Sequence, residues 1–342
     1  MKAQLAGIIM VLIANTAWAQ EGNLVNAHIN DLTSFNDPAQ AINKARGQWL
    51  VFSMPVVEGT RSPCCWKNHR NRNSEMGCSL DREHHSFGTR SDSPLTENVA
   101  VYARINGHQI DDLQVIGEQC PMDAQGAEVT WIGNTDDTAG LDWLASVARS
   151  NGNDSVGNLA LYAIALHRDK KASDLLYEVA REQDGDHSEE AIFWLGDTRG
   201  AEGVKALKRL LRDLPASDLR REINFALSQN ETQQALDLLI DISESDGDPQ
   251  QRGNALFWLA EEHPDRAPEI LLRAISHDAD EDVREQAVFA ISQLPPDIGT
   301  EMLLALAKDS DYPRDIRRQA LFWLANSEDE KATTALAELL TP

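Results

Sequence analysis

The second part of the chain has a repeating pattern of apolar positions at helical spacing. A five-residue apolar motif returns at an almost constant period, and its central phenylalanines are separated by 32, 32, 32 and 33 residues. These phenylalanines are Phe193, Phe225, Phe257, Phe289 and Phe322, and Tyr162 extends the series backwards by 31 residues. Periods of this length are typical of stacked supersecondary units. The pattern predicts six helical pairs over residues 138–342.

The chain before residue 138 has the alternation and composition of β-strands. Short apolar runs at residues 49–52, 99–105 and 128–133 are rich in β-branched and aromatic residues. Asn106-Gly107 predicts a hairpin that joins residues 99–105 to residues 108–116, because both residues tolerate positive φ. Residues 58–94 lack such runs and are predicted to form one long loop. We therefore expect a β-rich, cysteine-containing module over residues 20–137.

The first 19 residues are typical of a secretory signal peptide. Lys2 is followed by a short apolar stretch at residues 5–13 and by Ala17-Trp18-Ala19, an A-x-A cleavage pattern. This predicts a periplasmic or secreted protein without a membrane-inserted segment.

If the protein is exported, its four cysteines are expected to form disulfides rather than remain free thiols. An oxidising compartment favours disulfides among Cys64, Cys65, Cys78 and Cys120. A bond between the neighbours Cys64 and Cys65 is disfavoured, because adjacent Cα atoms lie about 3.8 Å apart, below the usual span of a disulfide. We expect Cys64 and Cys65 each to pair with Cys78 or Cys120, and either combination remains open.

Two segments carry a resemblance to a known family. Residues 282–287 (DVREQA) and 315–320 (DIRRQA) resemble the D-x-V-R-x-x-A helix entry of HEAT repeats, and the short period is similar to the bacterial subtype called PBS-lyase-like. The combination of a Cys-Cys-Trp module with Phe-Trp-Leu repeats also resembles exported bacterial HEAT-repeat proteins. The resemblance implies a mainly helical, right-handed α-solenoid behind a small β-rich disulfide module, and usually a protein partner.

The repeat alignment defines three sets of candidate residues. Five residues before the phenylalanines, an arginine column is expected by the resemblance to form a structural ladder between repeats (Arg220, Arg252, Arg284 and Arg317, with Ser188 in the first position). After the aromatic residue, tryptophan alternates with alanine (Trp194, Trp258 and Trp323 against Ala163, Ala226 and Ala290). This alternation favours interlocking core packing, with exposed binding anchors as the alternative. Polar candidates for partner binding end the same helices (Asp197, Gln229, Glu261, Gln293 and Asn326).

Charge narrows the range of partners. The chain has 55 acidic and 31 basic residues, a formal charge of −24. Such a surface repels phosphates, which argues against nucleic acid and anionic lipid. Six basic residues do cluster within residues 61–90, and three interpretations stay open for them: docking onto the chain's own acidic repeats, binding of an acidic partner, or a solvated loop without a role.

Motifs for catalysis are weak. His69, His84 and His85 lie near Cys78 in sequence, but no C-x-x-C or H-x₃₋₅-H pair accompanies them. None of the nine histidines precedes a glutamate, so the His-Glu iron ligands of HEAT-repeat hydroxylases are not carried over. We therefore predict no catalytic residues, no metal and no cofactor. The predicted function is a non-catalytic protein-interaction scaffold of the bacterial envelope, with its partner on the concave face. The alternative is a metal- or thiol-dependent enzyme, oxidoreductase-like, that uses the Cys/His-rich loop.

Overall fold

The computed structural model describes residues 23–45, 48–68, 74–81, 86–107, 109–135, 138–150, 154–182, 185–214, 218–327 and 329–340. The chain divides into two compact units, residues 1–143 and residues 144–342. The predicted signal peptide, together with His69, His84 and His85, lies outside the described residues.

The first unit is built mainly from strands. They are β1 (Leu24–Val25), β2 (His28–Asp31), β3 (Trp49–Pro55), β4 (Cys64–Asn68), β5 (Ser74–Met76), β6 (Cys78–Ser79), β7 (Ser86–Gly88), β8 (Asn98–Asn106), β9 (Gln109–Gly117), β10 (Met122–Asp123) and β11 (Glu128–Asn134), with helix α1 (Pro38–Ala41) after β2. A five-stranded sheet has the order β2-β11-β3-β8-β9, and two three-stranded sheets have the orders β1-β10-β6 and β5-β4-β7. The predicted hairpin is present, because Asn106 pairs with Gln109 across Gly107, whose φ is +65°.

The prediction of one long loop at residues 58–94 is wrong. This segment holds β4, β6 and the short strands β5 and β7, and β4 pairs with both β5 and β7 in antiparallel register. The segment also carries three cysteines into the core of the unit. Cys64 is joined to Cys120 and Cys65 to Cys78, so neither bond links the two neighbours. All four sulfurs pack with Trp49, Tyr102 and Trp131 in that core.

Helices occupy the rest of the chain, as the repeat pattern predicts. They are α2 (Ala139–Ser150), α3 (Asp154–Leu166), α4 (Lys171–Glu182), α5 (Gly185–Asp197), α6 (Gly200–Asp213), α7 (Asp218–Ser228), α8 (Gln233–Ser245), α9 (Pro249–Glu262), α10 (Ala267–His277), α11 (Glu281–Gln293), α12 (Pro296–Lys308), α13 (Arg314–Asn326) and α14 (Glu330–Leu340). From α3 onward they form six pairs. Among the described helices, none combines the length and the apolar character that crossing a membrane requires.

The paired helices form two rows. Odd-numbered helices α3 to α13 pack against one another from each repeat to the next, whereas contacts along the even-numbered helices α4 to α14 are sparser. At Gly196 of α5 the approach is so close that a Cβ atom would meet the carbonyl oxygen of Ala226 in α7 at 2.0 Å. Because the odd-numbered row is the more closely spaced, it forms the inner side of the stack. We call the two rows the inner row and the outer row.

Candidate functional site

Nine aromatic rings form a continuous series along the inner row, which we call the aromatic ladder. In spatial order the rings are Tyr162, Trp194, Phe193, Phe225, Trp258, Phe257, Phe289, Trp323 and Phe322, with neighbouring centroids 4.8 to 6.1 Å apart. Aromatic pairs at such distances attract each other beyond their buried area. The ladder therefore ties successive repeats together through ring contacts.

The ladder explains the alternation of tryptophan with alanine. Each Phe-Trp repeat directs its tryptophan toward the preceding repeat, as Trp258 contacts Phe225 at 4.8 Å. Its phenylalanine faces the next repeat, as Phe257 stacks on Phe289 at 5.9 Å with nearly parallel planes. The alternating alanines Ala163, Ala226 and Ala290 are fully buried, whereas the tryptophans are half-buried. The tryptophans thus take part in packing between repeats and are also accessible on the inner face.

Two arginines of the column form bonds between repeats. Arg252 binds Asp278 through two hydrogen bonds of 2.8 Å, and Arg220 binds Asp246 at 2.7 Å. Arg284 donates to the carbonyl oxygen of Asp278 at 2.8 Å. Asp246 and Asp278 lie in the loops that lead into the inner helices after those of Arg220 and Arg252, whereas for Arg284 the Asp278 carbonyl lies in the loop before its own helix.

The first and last positions of the column differ. Buried Ser188 donates to the carbonyl oxygen of Val179. For Arg317, the Nε atom has no hydrogen-bond acceptor among the described residues.

Two columns of polar side chains border the ladder. One stands three residues before the phenylalanines (Glu190, Glu222, Asn254, Gln286 and Gln319), and the other stands four residues after them (Asp197, Gln229, Glu261, Gln293 and Asn326). Residues three and four apart share one helix face, so the columns lie on either side of the rings. All ten side chains are exposed or half-buried, and all ten end in a carboxylate or a carboxamide. We call them the acceptor columns.

The sequence analysis named the second column and missed the first. Its members differ in residue type, which hides the column in a residue-by-residue comparison. Grouping carboxylates with carboxamides in the repeat alignment would have found it. Some members already have partners: Glu190 accepts from the indole of Trp194 at 2.6 Å, and Asn254 accepts from buried Asn224 at 3.0 Å.

Burial raises the pKa of three carboxylates near the ladder, and neighbouring acidic charges raise the pKa of two of them further. Burial raises the pKa of Glu222, and the nearby charge of Glu189 raises it further. Burial and the charge of Glu231 likewise raise the pKa of Asp197. For Glu190, burial outweighs the hydrogen bond from Trp194, so its pKa is also raised. This part of the inner face therefore has a negative potential that a positively charged group would relieve.

A groove of about 840 Å³ opens on the inner row between α7 and α13. Phe257, Phe289 and Trp323 supply its aromatic surface, and Asn254, Gln286 and Gln319 of the first acceptor column line it. Asp282 and Glu285 add carboxylates beside them. The groove combines flat apolar surface with hydrogen-bonding groups, a combination suited to binding.

Two groups of side chains have the composition of metal ligands. Carboxylate oxygens of Glu281, Glu285 and Asp315 lie within 4.8 Å of one another, and oxygen ligands suit hard cations. Exposed acidic groups of this kind are also common on surfaces that hold no ion. The sulfurs of Cys64, Cys78 and Cys120 lie equally close, but they are joined in disulfides and offer no thiolate.

The basic cluster within residues 61–90 is described only in part. Arg61 donates to the carbonyl oxygen of Ser93 at 3.2 Å, and the guanidinium of Arg90 lies 4.2 Å from the ring centre of Trp66. Arg70, Arg72 and Arg82 lie outside the described residues. Both described arginines thus contact their own module.

A family comparison matches the last repeats of the chain. Residues 268–342 match the family model of HEAT repeats. No curated protein matches the chain. Among solved structures, the complex of CpcE and CpcF of phycocyanin lyase from Nostoc sp. PCC7120 is 25% identical with a TM-score of 0.32, and the match covers 45% of this chain and 99% of that one.

Two further solved structures are similar at lower identity. The archaeal HEAT-like repeats protein from Thermococcus onnurineus NA1 is 14% identical with a TM-score of 0.29, covering 60% of this chain and 90% of that one. Lipovitellin is 13% identical with a TM-score of 0.42, covering 71% of this chain but only 31% of its own. Together with the regular helix pairs, the family match shows that the helical part of this chain consists of HEAT-like repeats, which follow a β-sheet region with two disulfides.

Proposed function

We propose that this protein is a non-catalytic interaction scaffold that binds a protein partner along the inner row of its HEAT-like repeats. HEAT-repeat proteins are generally protein-interaction scaffolds, and stacked repeats offer extended concave surfaces. The observation that carries the proposal is the half-exposed aromatic ladder. Aromatic side chains are the commonest energetic anchors of protein interfaces, and here they form a continuous series rather than isolated rings.

The proposal extends to the place where the protein acts. A signal-like N-terminus and two disulfides together favour an exported protein of the bacterial envelope. A disulfide-bearing module persists in the periplasm, where thiols are kept oxidised. We place the interaction there.

A crosslinking experiment tests the proposal. A photoreactive amino acid replaces exposed Gln286 on the inner row, and in a matched variant it replaces exposed Glu301 on the outer row. After irradiation of cells that export the protein, we expect a specific crosslinked protein from position 286 and none from position 301. Equal yields from both positions, or no product from the inner row under any growth condition, would refute the scaffold function.

The competing enzyme hypothesis receives no support from the cysteines. A thiol-dependent reaction needs a reduced cysteine, and a thiolate zinc site needs several. All four cysteines are described, and all four are in disulfides. The described residues therefore support a binding function of the inner row better than a reaction at the cysteines.

A further inference from the structure

We infer that the segment bound on the inner row is an extended, positively charged peptide, rich in lysine and arginine, held against the aromatic ladder between α7 and α13. This inference rests on the proposed function and specifies the chemistry of the partner. Four features of the inner row carry it: the composition of the acceptor columns, the distribution of positive and negative charge, the aromatic rings and the dimensions of the groove.

The acceptor columns favour a ligand that is rich in hydrogen-bond donors. Their ten side chains include four carboxylates and six carboxamides, and no lysine or arginine stands among them. Carboxamides both donate to and accept from peptide groups, so they suit the main chain of an extended segment. Carboxylates accept only, and they form their strongest hydrogen bonds with ammonium and guanidinium groups.

The inner helices carry no lysine, and several of their arginines are already paired. Lysines of the repeats lie on outer-row helices or next to them, and none of the described inner helices contains one. Arg220 and Arg252 are bound to aspartates in the arginine ladder, and Arg221 is paired with Asp218 at 2.7 Å. Arg314, Arg317 and Arg318 of α13 have no ion pair among the described residues, but none of them lines the groove. Within the described lining, one basic residue, Arg221, stands against the carboxylates Asp282 and Glu285.

Negative charge beside the groove remains uncompensated. Glu281, Asp282, Glu285 and Asp315 have no ion-pair partner among the described residues. Carboxylates of three of them lie within 4.8 Å of one another, where like charges repel. A lysine or arginine placed between them would remove that repulsion.

The rings complete the recognition of a cation. An ammonium or guanidinium over an aromatic face is attracted by the negative electrostatic potential of the ring. Phe257, Phe289 and Trp323 line the same groove as Asp282 and Glu285, so the groove offers a cation both aromatic faces and carboxylates. This combination discriminates against acidic and against purely apolar segments.

The length of the groove sets the length of the segment. Packed helices lie about 8–10 Å apart, so the distance from α7 to α13 is roughly 30 Å. An extended chain rises about 3.3 Å per residue. Roughly nine residues of extended peptide therefore span the groove, with about three residues for each repeat.

A peptide-binding measurement tests the inference on the full exported chain. The probe is a fluorescein-labelled twelve-residue peptide in which lysine and arginine alternate with serine and glycine. Matched peptides carry glutamine, or glutamate, in place of every basic residue. We expect the basic peptide to bind at least tenfold more tightly than the glutamine peptide by fluorescence anisotropy, and the glutamate peptide to show no binding.

Isosteric variants locate the binding. Asp282→Asn with Glu285→Gln removes two charges from the groove, and the control Glu269→Gln with Glu301→Gln removes two exposed charges from the outer row. We expect the groove variant to bind the basic peptide at least tenfold more weakly and the control to change by less than twofold. Circular dichroism checks that both variants fold. Equal weakening in both variants would show non-specific attraction to an acidic surface and overturn the inference.

The two proposals fail in different ways. If the crosslink at position 286 captures a partner through an acidic or apolar segment, or captures a second copy of this chain, the cationic-peptide inference is wrong. In the first of these cases the scaffold function stands. If position 286 yields no crosslink under any condition, the scaffold function itself fails. The peptide measurement and the crosslink therefore report on separate claims.

Discussion

Arg252 and Asp278 form a bidentate ion pair that joins α9 to the loop before α11, and both hydrogen bonds are 2.8 Å long. Both side chains are nearly buried, at 12% and 9% exposure. Arg252 also donates to the carbonyl oxygen of Asp246 at 2.7 Å, so one guanidinium joins two successive loops. The arrangement links neighbouring repeats on the side away from the solvent.

Removing Asp278 should weaken the repeat stack. Asp278→Ala leaves the guanidinium of Arg252 nearly buried without its carboxylate, and breaking a buried pair in this way costs about 3 kcal/mol. Urea unfolding measures the loss. The control Asp174→Ala breaks the exposed pair between Asp174 and Arg209, and it should change stability by no more than about 0.5 kcal/mol. Similar losses in both variants would contradict the structural role of the arginine ladder.

Trp258 should stabilise the stack more than Phe322, the last ring of the ladder. Its ring lies between Phe225 at 4.8 Å and Phe257 at 5.0 Å. Since the side chain is half-buried, Trp258→Ala should cost about 2–3 kcal/mol, below the loss for a fully buried ring. Phe322 is 55% exposed and contacts only Trp323 within the ladder. Phe322→Ala should cost less than about 1 kcal/mol in the same denaturation assay.

The repeat architecture could be predicted because its physical cause is periodic. Each helical pair must bury the same apolar face against its neighbours, so Phe193, Phe225 and Phe257 recur at the repeat length. The hairpin at Asn106-Gly107 was equally accessible, because it depends on two adjacent residues. In both cases the residues that make the contacts can be recognised in the sequence, either by their fixed period or because they are adjacent.

The strands within residues 58–94 could not be predicted for the opposite reason. Disulfides join β4 to Cys120 and to Cys78 of β6, and β4 pairs with β7 while β6 pairs with β10. These contacts lie far apart in sequence or consist of two or three residues. The spatial order of the rings in the aromatic ladder could not be predicted either. The alternation of Trp194 with Ala163 and Ala226 indicated complementarity, but it did not show which neighbour each ring contacts.

Lowering the pH should change the contributions of Asp278 and Glu222 to the stability of the fold in opposite directions. Burial alone would raise the pKa of Asp278, but hydrogen bonds from Arg252 and from the amide of Asp280 outweigh it and lower that pKa below 3.8. Asp278 therefore stabilises the fold above its unfolded pKa, and this contribution is lost as the pH falls through the lowered value. The deficit of Asp278→Asn, measured by urea unfolding, should be largest near pH 7 and should shrink below about pH 4.

Glu222 should show the reverse behaviour. Its pKa is raised above 4.5 by burial and by the charge of Glu189, so folding favours its protonated form. This contribution is complete below the unfolded pKa and is lost as the pH rises through the raised value. Glu222→Gln should therefore be more stable than the parent protein at pH 7 and equal to it near pH 3. A variant that is less stable at pH 7 would show that Glu222 has a favourable partner when ionised.

Both disulfides should form in the exported protein and contribute unequally to its stability. Non-reducing peptide mapping should join Cys64 to Cys120 and Cys65 to Cys78, with no thiol that reacts with an alkylating agent. The two bonds close segments of 56 and 13 residues, and loop-closure entropy assigns them about 4 and about 3 kcal/mol. Cys64→Ser with Cys120→Ser should therefore destabilise the β-sheet unit more than Cys65→Ser with Cys78→Ser. Free thiols together with a bound metal would instead revive the enzyme hypothesis, because only reduced cysteines offer ligands or nucleophiles.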